Sequence, residues 1–123
     1  MKPSAVRRLK TYTAQTGYVY QYYFVGQREA LAADPESPAM EYVFDVTSDR
    51  KTTFAVSVFL GPKAIEAWSL ANGRPLSEPE RYAAVKLRLM RGFDEVPDML
   101  QSGRRLRVEP QEICELLGSI GID

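Results

Sequence analysis

The chain has 123 residues and a formal net charge of zero, with 16 Lys and Arg against 16 Asp and Glu. Its length suits one domain, and its 45% hydrophobic and 26% charged residues are typical of a folded globular chain. The charge balance excludes a strong overall attraction to nucleic acid or to an anionic membrane. We therefore expect a single domain spanning residues 1–123.

The residue types that are scarce restrict the chemistry further. Histidine is absent and there is one cysteine, so neither a Ser-His-Asp nor a Cys-His catalytic arrangement fits within one chain. A zinc site would need carboxylates almost alone, and we predict no metal, cofactor or catalytic residue. No disulfide can form within the chain. No apolar run approaches the ~20 residues that span a bilayer, and a cytoplasmic location is predicted.

The first predicted elements are two β-like runs, residues 6–13 and 18–25. The segment between them ends at Gly17, which can adopt positive φ, and a hairpin is predicted. Residues 26–39 then read as a connection, because Pro35 and Pro38 disfavour regular structure. Within this connection, residues 27–33 are predicted to form a short helix.

The second run carries an aromatic row at every second position. Side chains alternate between the faces of a strand, so the row lies on one face. Its members are Tyr18, Tyr20, Tyr22 and Phe24. The opposite face carries Val19, Gln21, Tyr23 and Val25, which are also mostly apolar. A strand with no clearly wet face predicts a cover on both sides.

A second hairpin is predicted from residues 42–47 and 53–60, joined by a loop at 48–51. Its alternation predicts Val46 opposite Thr52 or Phe54. Asp45 shares a strand face with Thr47 and could look toward Thr53 or Ser57. It belongs either to a polar pocket or to the wet side of the sheet.

Two helices follow. Pro62 suits the first turn of one, which Asn72 and Gly73 end. Ser77 and Glu80 form a capping box at the start of the next. The second helix carries its apolar face on Tyr82, Val85, Leu89 and Phe93, and Gly92 is predicted to terminate it.

The last part of the chain is predicted to contain a strand at residues 104–108 and a helix at 111–117. Leu106 and Val108 are expected to point inward, and Cys114 is expected to be a buried, inert thiol. Strands that cluster before helices predict α+β architecture. We expect an antiparallel sheet of about four to five strands, including two N-terminal hairpins, with helices packed on one face.

These patterns favour a non-enzymatic domain that acts by association, as a homo-oligomer or with a protein partner. Apolar and aromatic strand residues predict the contact surface. The predicted partner-binding residues are Tyr18, Tyr20, Tyr22, Phe24 and Phe59. One alternative is a ligand-binding or enzyme domain with a pocket between sheet and helices. A second is weak binding of single-stranded nucleic acid, which the zero net charge disfavours.

Two charged clusters complete the candidate sites. Arg104, Arg105 and Arg107 are candidate anion-binding residues, and a second basic cluster at residues 7–10 could join them if both strands lie on one side. The zero net charge favours the simpler explanation, in which these arginines form a solvated surface or protect an edge strand. Asp94, Glu95 and Asp98 lie close together but lack the spacing of a calcium-binding loop.

Overall fold

The computed structural model describes residues 8–30 and 38–123. Within them, five strands and four helices follow one another along the chain. The strands are β1 (Lys10–Thr13), β2 (Val19–Ala30), β3 (Ala39–Thr47), β4 (Phe54–Leu60) and β5 (Arg105–Arg107). The helices are α1 (Pro62–Asn72), α2 (Glu78–Glu95), α3 (Met99–Ser102) and α4 (Ile113–Gly118).

All five strands belong to one sheet, in which they lie side by side in chain order. Neighbours from β1 to β4 are antiparallel, whereas β5 pairs in parallel with β4. A parallel neighbour requires a crossover connection, and α1, α2 and α3 supply it. The predicted α+β fold, with helices packed against a mostly antiparallel sheet, is confirmed.

The first hairpin forms, but β1 covers only Lys10–Thr13 of the run predicted at residues 6–13, of which residues 6 and 7 lie outside the described residues. Gly17 has a φ of 99°, and the Ala14 amide donates to the Tyr18 carbonyl over 2.8 Å. The helix predicted at residues 27–33 is wrong over its described part. Residues 27–30 continue β2 and pair with β3, while residues 31–33 lie outside the described residues. A β-bulge at Val25 lets the strand continue beyond this point.

The second hairpin takes one of the two predicted registers, with Val46 opposite Phe54. The Asp49 carboxylate organises its loop by accepting hydrogen bonds from the amides of Lys51 and Thr52, each over 2.8 Å. This use of an aspartate side chain in place of a backbone acceptor is common in turns.

The core lies between the helices and one face of the sheet. That face carries the aromatic row: the ring of Tyr20 stacks on Phe93 of α2, and Phe24 meets Tyr82 edge-on. The largest fully buried side chains include Trp68, Tyr20, Tyr42, Phe44, Phe93, Leu60 and Leu89. The helices therefore cover the side of β2 that the row occupies.

Helix α2 begins at the predicted capping box but does not end at Gly92. The Ser77 hydroxyl accepts from the Glu80 amide, and the Glu80 carboxylate accepts from the Ser77 amide. The helix continues to Glu95. Gly92 is instead a close-packing residue, since a Cβ there would lie 2.7 Å from a methyl of Leu106. The prediction that Gly92 terminates the helix is therefore wrong.

Helix α1 has the predicted bounds, and α4 buries Ile113, Leu116 and Leu117. Cys114 is exposed, so its predicted burial is wrong. It lies beside Ile113 in sequence, but the next helical position turns away from the core. Among the described residues, no helix combines the length and apolar character required to cross a bilayer.

Candidate functional site: the outer face of the sheet

The strand residues that alternate with the core residues form the second face of the sheet, which we call the outer face. None of them belongs to the core cluster that the described residues form with the helices. The outer face comprises Gln21, Tyr23, Val25, Arg28, Glu41, Val43, Asp45, Ala55, Ser57, Phe59, Arg105 and Arg107. This face is the candidate site because the helices pack on the other one.

The centre of the outer face is mostly apolar. Val43 lies opposite the bulge that Val25 and Gly26 form in β2. Tyr23 lies two pairs from this point along β2 and faces Asp45, and Ala55 faces Asp45 from β4. Val25 is 39% exposed and Ala55 is also exposed. Polar and charged residues lie on both sides of this centre.

Within this centre, Tyr23 donates its hydroxyl proton to Asp45 over 2.8 Å. Asp45 lies on the outer face, and it also borders a surface hollow of about 330 Å³ that Thr53 and Arg50 help to line. The hollow is part of the outer face. The two interpretations of Asp45 from the sequence, a polar pocket and the wet side of the sheet, are therefore compatible.

At one end of the face, Glu41 is a buried carboxylate that is only 7% exposed. It accepts from the Arg28 Nε over 2.9 Å and from the Ser57 hydroxyl over 2.5 Å. The hydrogen bond from Arg28 lowers the pKa of Glu41, and Ser57 and nearby Arg105 lower it further. Glu41 is therefore held ionised at neutral pH, as charge-assisted hydrogen bonds require.

The arginines in and next to β5 divide between two locations. Arg105 and Arg107 extend from the outer face, and the Arg105 guanidinium lies 4.8 Å from the centre of the Phe59 ring. Arg104 instead donates to the Ala55 carbonyl over 3.1 Å and approaches the core ring of Phe54. The structure thus separates Arg104 from the other two candidate anion-binding residues.

The basic clusters at the two ends of the chain do not form one patch. Lys10 is in β1 and Arg105 is in β5, and these strands are the opposite edges of the sheet. Arg7 lies outside the described residues. A single cationic track along the sheet, which the nucleic-acid alternative would use, is not assembled by the described part of the chain.

The predicted partner-binding residues fall in different environments. Tyr20 and Tyr22 are buried in the core, Phe24 is half-buried beside Tyr82, and Tyr18 is 48% exposed at the start of β2. Phe59 lies on the outer face but is only 6% exposed. A partner reaching this sheet would therefore meet the outer face, with the buried members of the row acting as core.

A second hollow, of about 390 Å³, lies beside β1, α2 and α4. Several of its polar groups are paired within the protein. The Tyr12 hydroxyl donates to Asp94 over 2.7 Å, which raises the pKa of Tyr12 to about 12. Arg91 bonds Glu112 and Glu115. The alternative of a pocket between sheet and helices thus has a hollow of suitable size, in which Tyr12, Asp94 and Arg91 already bond other groups of the protein.

The acidic residues near the end of α2 have structural roles. Asp94 also accepts from the Gln15 amide, and Asp98 caps α3 by accepting from the Gln101 amide. Within residues 8–30 and 38–123, no cluster of three or more His, Cys, Asp or Glu side chains has the arrangement of a metal site.

Glu41 and Arg28 are the site residues that the sequence did not indicate. Arg28 falls in a segment predicted to be a connection, and Glu41 immediately precedes the alternating pattern of the second hairpin. The charge of Glu41 beside the apolar residues of its strand was a usable signal. Its partners, Arg28 and Ser57, are distant in sequence. No protein-family model, curated protein or solved structure matches this chain.

Proposed function

We propose that this protein is a non-enzymatic association domain and that a second copy of the chain covers its outer face. The observation that carries the proposal is the layout of that face, in which Tyr23, Val25, Val43 and Ala55 form a mostly apolar centre around Asp45. The row that holds Arg28, Glu41 and Arg107 borders this centre on one side. An apolar centre with a polar rim is the anatomy of protein interfaces.

A second copy is a suitable occupant because the face carries both signs of charge. Glu41 and Asp45 contribute carboxylates, whereas Arg28, Arg105 and Arg107 contribute guanidinium groups. A symmetric dimer places the same surface on both sides, so a surface with both signs can satisfy itself. A partner of strong single charge would meet repulsion from one set or the other.

The size of the face sets the expected affinity. Five strands spaced ~4.8 Å apart and averaging about seven residues in length give a face of roughly 20 Å by 20 Å. Such a face buries less than the ~800 Å² per partner of a standard stable interface. We therefore expect a reversible dimer with a dissociation constant in the micromolar range rather than a permanent one.

Sedimentation velocity over a concentration series tests this proposal. Ala55→Glu introduces a charge at an exposed position in the apolar centre, and we expect it to weaken dimerisation at least about tenfold. Leu70→Glu is the matched control, because Leu70 is 79% exposed on α1, away from the outer face. Circular dichroism verifies that both variants fold.

Two results would contradict the proposal. One is a wild-type protein that stays monomeric up to about 1 mM, where even a weak specific dimer would form. The other is an equal loss of dimer in the Leu70 and Ala55 variants, since this would place the contact elsewhere on the molecule.

A further inference from the structure

The arginine corner, which we define as Arg28, Glu41, Arg105 and Arg107, combines residues from three strands, β2, β3 and β5. The pairing of the sheet places Arg28 opposite Glu41, Glu41 opposite Phe59, and Phe59 opposite Arg107. Arg105 is on the same face, two residues before Arg107 along β5. The long arginine side chains can therefore extend toward one another over Glu41 and Phe59, which lie between Arg28 and Arg107.

Each guanidinium in the corner retains donors for a ligand. Arg28 uses its Nε for Glu41, which leaves its terminal nitrogens, and its side chain is 72% exposed. Arg105 lies over the Phe59 ring, a contact that fixes its plane without using its N–H groups. Arg107 is exposed. Three cationic groups thus surround one carboxylate, for a local charge of about +2 at neutral pH.

We propose that the arginine corner binds a phosphate group, carried by a small phosphate monoester or as the free ion. Planar guanidinium forks match the tetrahedral oxygens of phosphate and donate in pairs. A dianion balances the local charge, and Glu41 acts as a positioning residue that holds Arg28 by its Nε.

A small phosphate suits the corner better than a nucleic-acid strand does. Sequence-tolerant binding of single strands uses exposed aromatic rings on which bases stack. Here Phe59 is buried beneath Arg105, and Tyr20 and Tyr22 are inside the core. The corner therefore offers hydrogen-bond donors without a stacking surface. This site goes beyond the proposed self-association.

The test is titration of the ¹⁵N-labelled full chain with inorganic phosphate at low salt, followed by NMR. We expect saturable shifts with a millimolar dissociation constant. Arg107→Ala and Arg105→Ala should each weaken binding about tenfold, the loss expected for charge-assisted hydrogen bonds. Arg105→Lys keeps the charge but loses the fork, and should weaken binding by a smaller factor. Arg105→Lys also provides the test of this position if Arg105→Ala fails to fold.

Arg104→Ala is the matched control, since Arg104 neighbours the corner in sequence but bonds the Ala55 carbonyl. It should change phosphate affinity less than about twofold. Absence of saturable shifts, or an equal loss in Arg104→Ala and Arg107→Ala, would overturn the proposal. So would an oligothymidylate that binds the same residues far more tightly than phosphate does. A parallel titration of the Ala55→Glu variant, whose dimerisation is weakened while its arginine corner is intact, separates this result from the test of dimerisation.

Discussion

The rings of Tyr20 and Phe93 stack with their centroids 4.3 Å apart and their planes 10° from parallel. Phe93 also lies 5.7 Å from Tyr22 and 5.8 Å from Tyr12, so one ring of α2 contacts three tyrosines of the first hairpin. This contact fixes the side of β2 that faces the helices. It consequently leaves the outer face as the exposed surface of the sheet.

Replacement of Phe93 by alanine should destabilise the protein by about 3–5 kcal/mol, the usual cost of removing a fully buried ring. Chemical denaturation measures the loss. Tyr18→Ala is the matched control: Tyr18 belongs to the same aromatic row but is 48% exposed, and should cost less than about 1 kcal/mol. Equal losses in the two variants would show that Phe93 does not organise the core.

Gly92→Ala should destabilise the protein by about 1–3 kcal/mol, because the added methyl would overlap Leu106. Combining it with Leu106→Ala, which makes room, should cost less than the sum of the single changes. Gly118→Ala is the control, since a Cβ there meets nothing within 4 Å. Thermal unfolding compares this control with the two single variants and the double variant. A stabilised Gly92→Ala protein would contradict the close packing of α2 and β5.

We expect Glu80, at the start of α2, to make the free energy of unfolding depend on pH. The hydrogen bond from Arg74 and the amide of Ser77 lower its pKa to about 2. The pKa of Glu80 in the folded protein is thus below its unfolded value of about 4.3. The ionised Glu80 therefore contributes its full stabilisation at pH values above about 4.3. The effect disappears as the pH falls toward 2.

Urea unfolding of the wild type and of Glu80→Gln should therefore show a stability gap at pH 7 that closes by about pH 2. Glutamine retains an acceptor for the Ser77 amide, so the gap reports the charge. Glu78→Gln is the control, because the Glu78 side chain is 68% exposed and its ion pair with Arg81, over 3.4 Å, lies at the protein surface. A gap that stays constant with pH would contradict the lowered pKa.

Glu41→Gln should destabilise the protein by about 1.5–3 kcal/mol, the value of hydrogen bonds to a charged group. The lowered pKa of Glu41 means that this contribution is present above about pH 4.3 and declines as the pH falls through the folded pKa. Denaturation at pH 7 and at acid pH measures it. Glu66→Gln, at an exposed position of α1, should have almost no effect.

Several features were predictable because they depend on neighbours within a few residues. The capping box of Ser77 and Glu80, the start of α1 at Pro62 and the turn at Gly17 all formed as predicted. Strand alternation also placed Leu106 and Val108 inward. Each rests on local backbone geometry, for which nearby residues suffice.

The predictions that were wrong depended on contacts between distant segments. Residues 27–30 are strand because β3 pairs with them, and that pairing outweighs a weak local preference for helix. Gly92 lies inside α2, and its lack of a side chain leaves the space that Leu106 of β5 occupies. The exposure of Cys114 follows from which side of α4 meets the core.

The aromatic row on one side of β2 and the apolar side chains on the other were readable from the sequence, since alternation in a strand is a local property. The tertiary structure decided which of those two sides faces the helices. Phe93 and Tyr82 of α2 cover the row, and the register of four strands brings Arg28 to Glu41 beside Arg105. Burial of apolar surface between remote segments decides such pairings, and no short stretch of sequence contains that information.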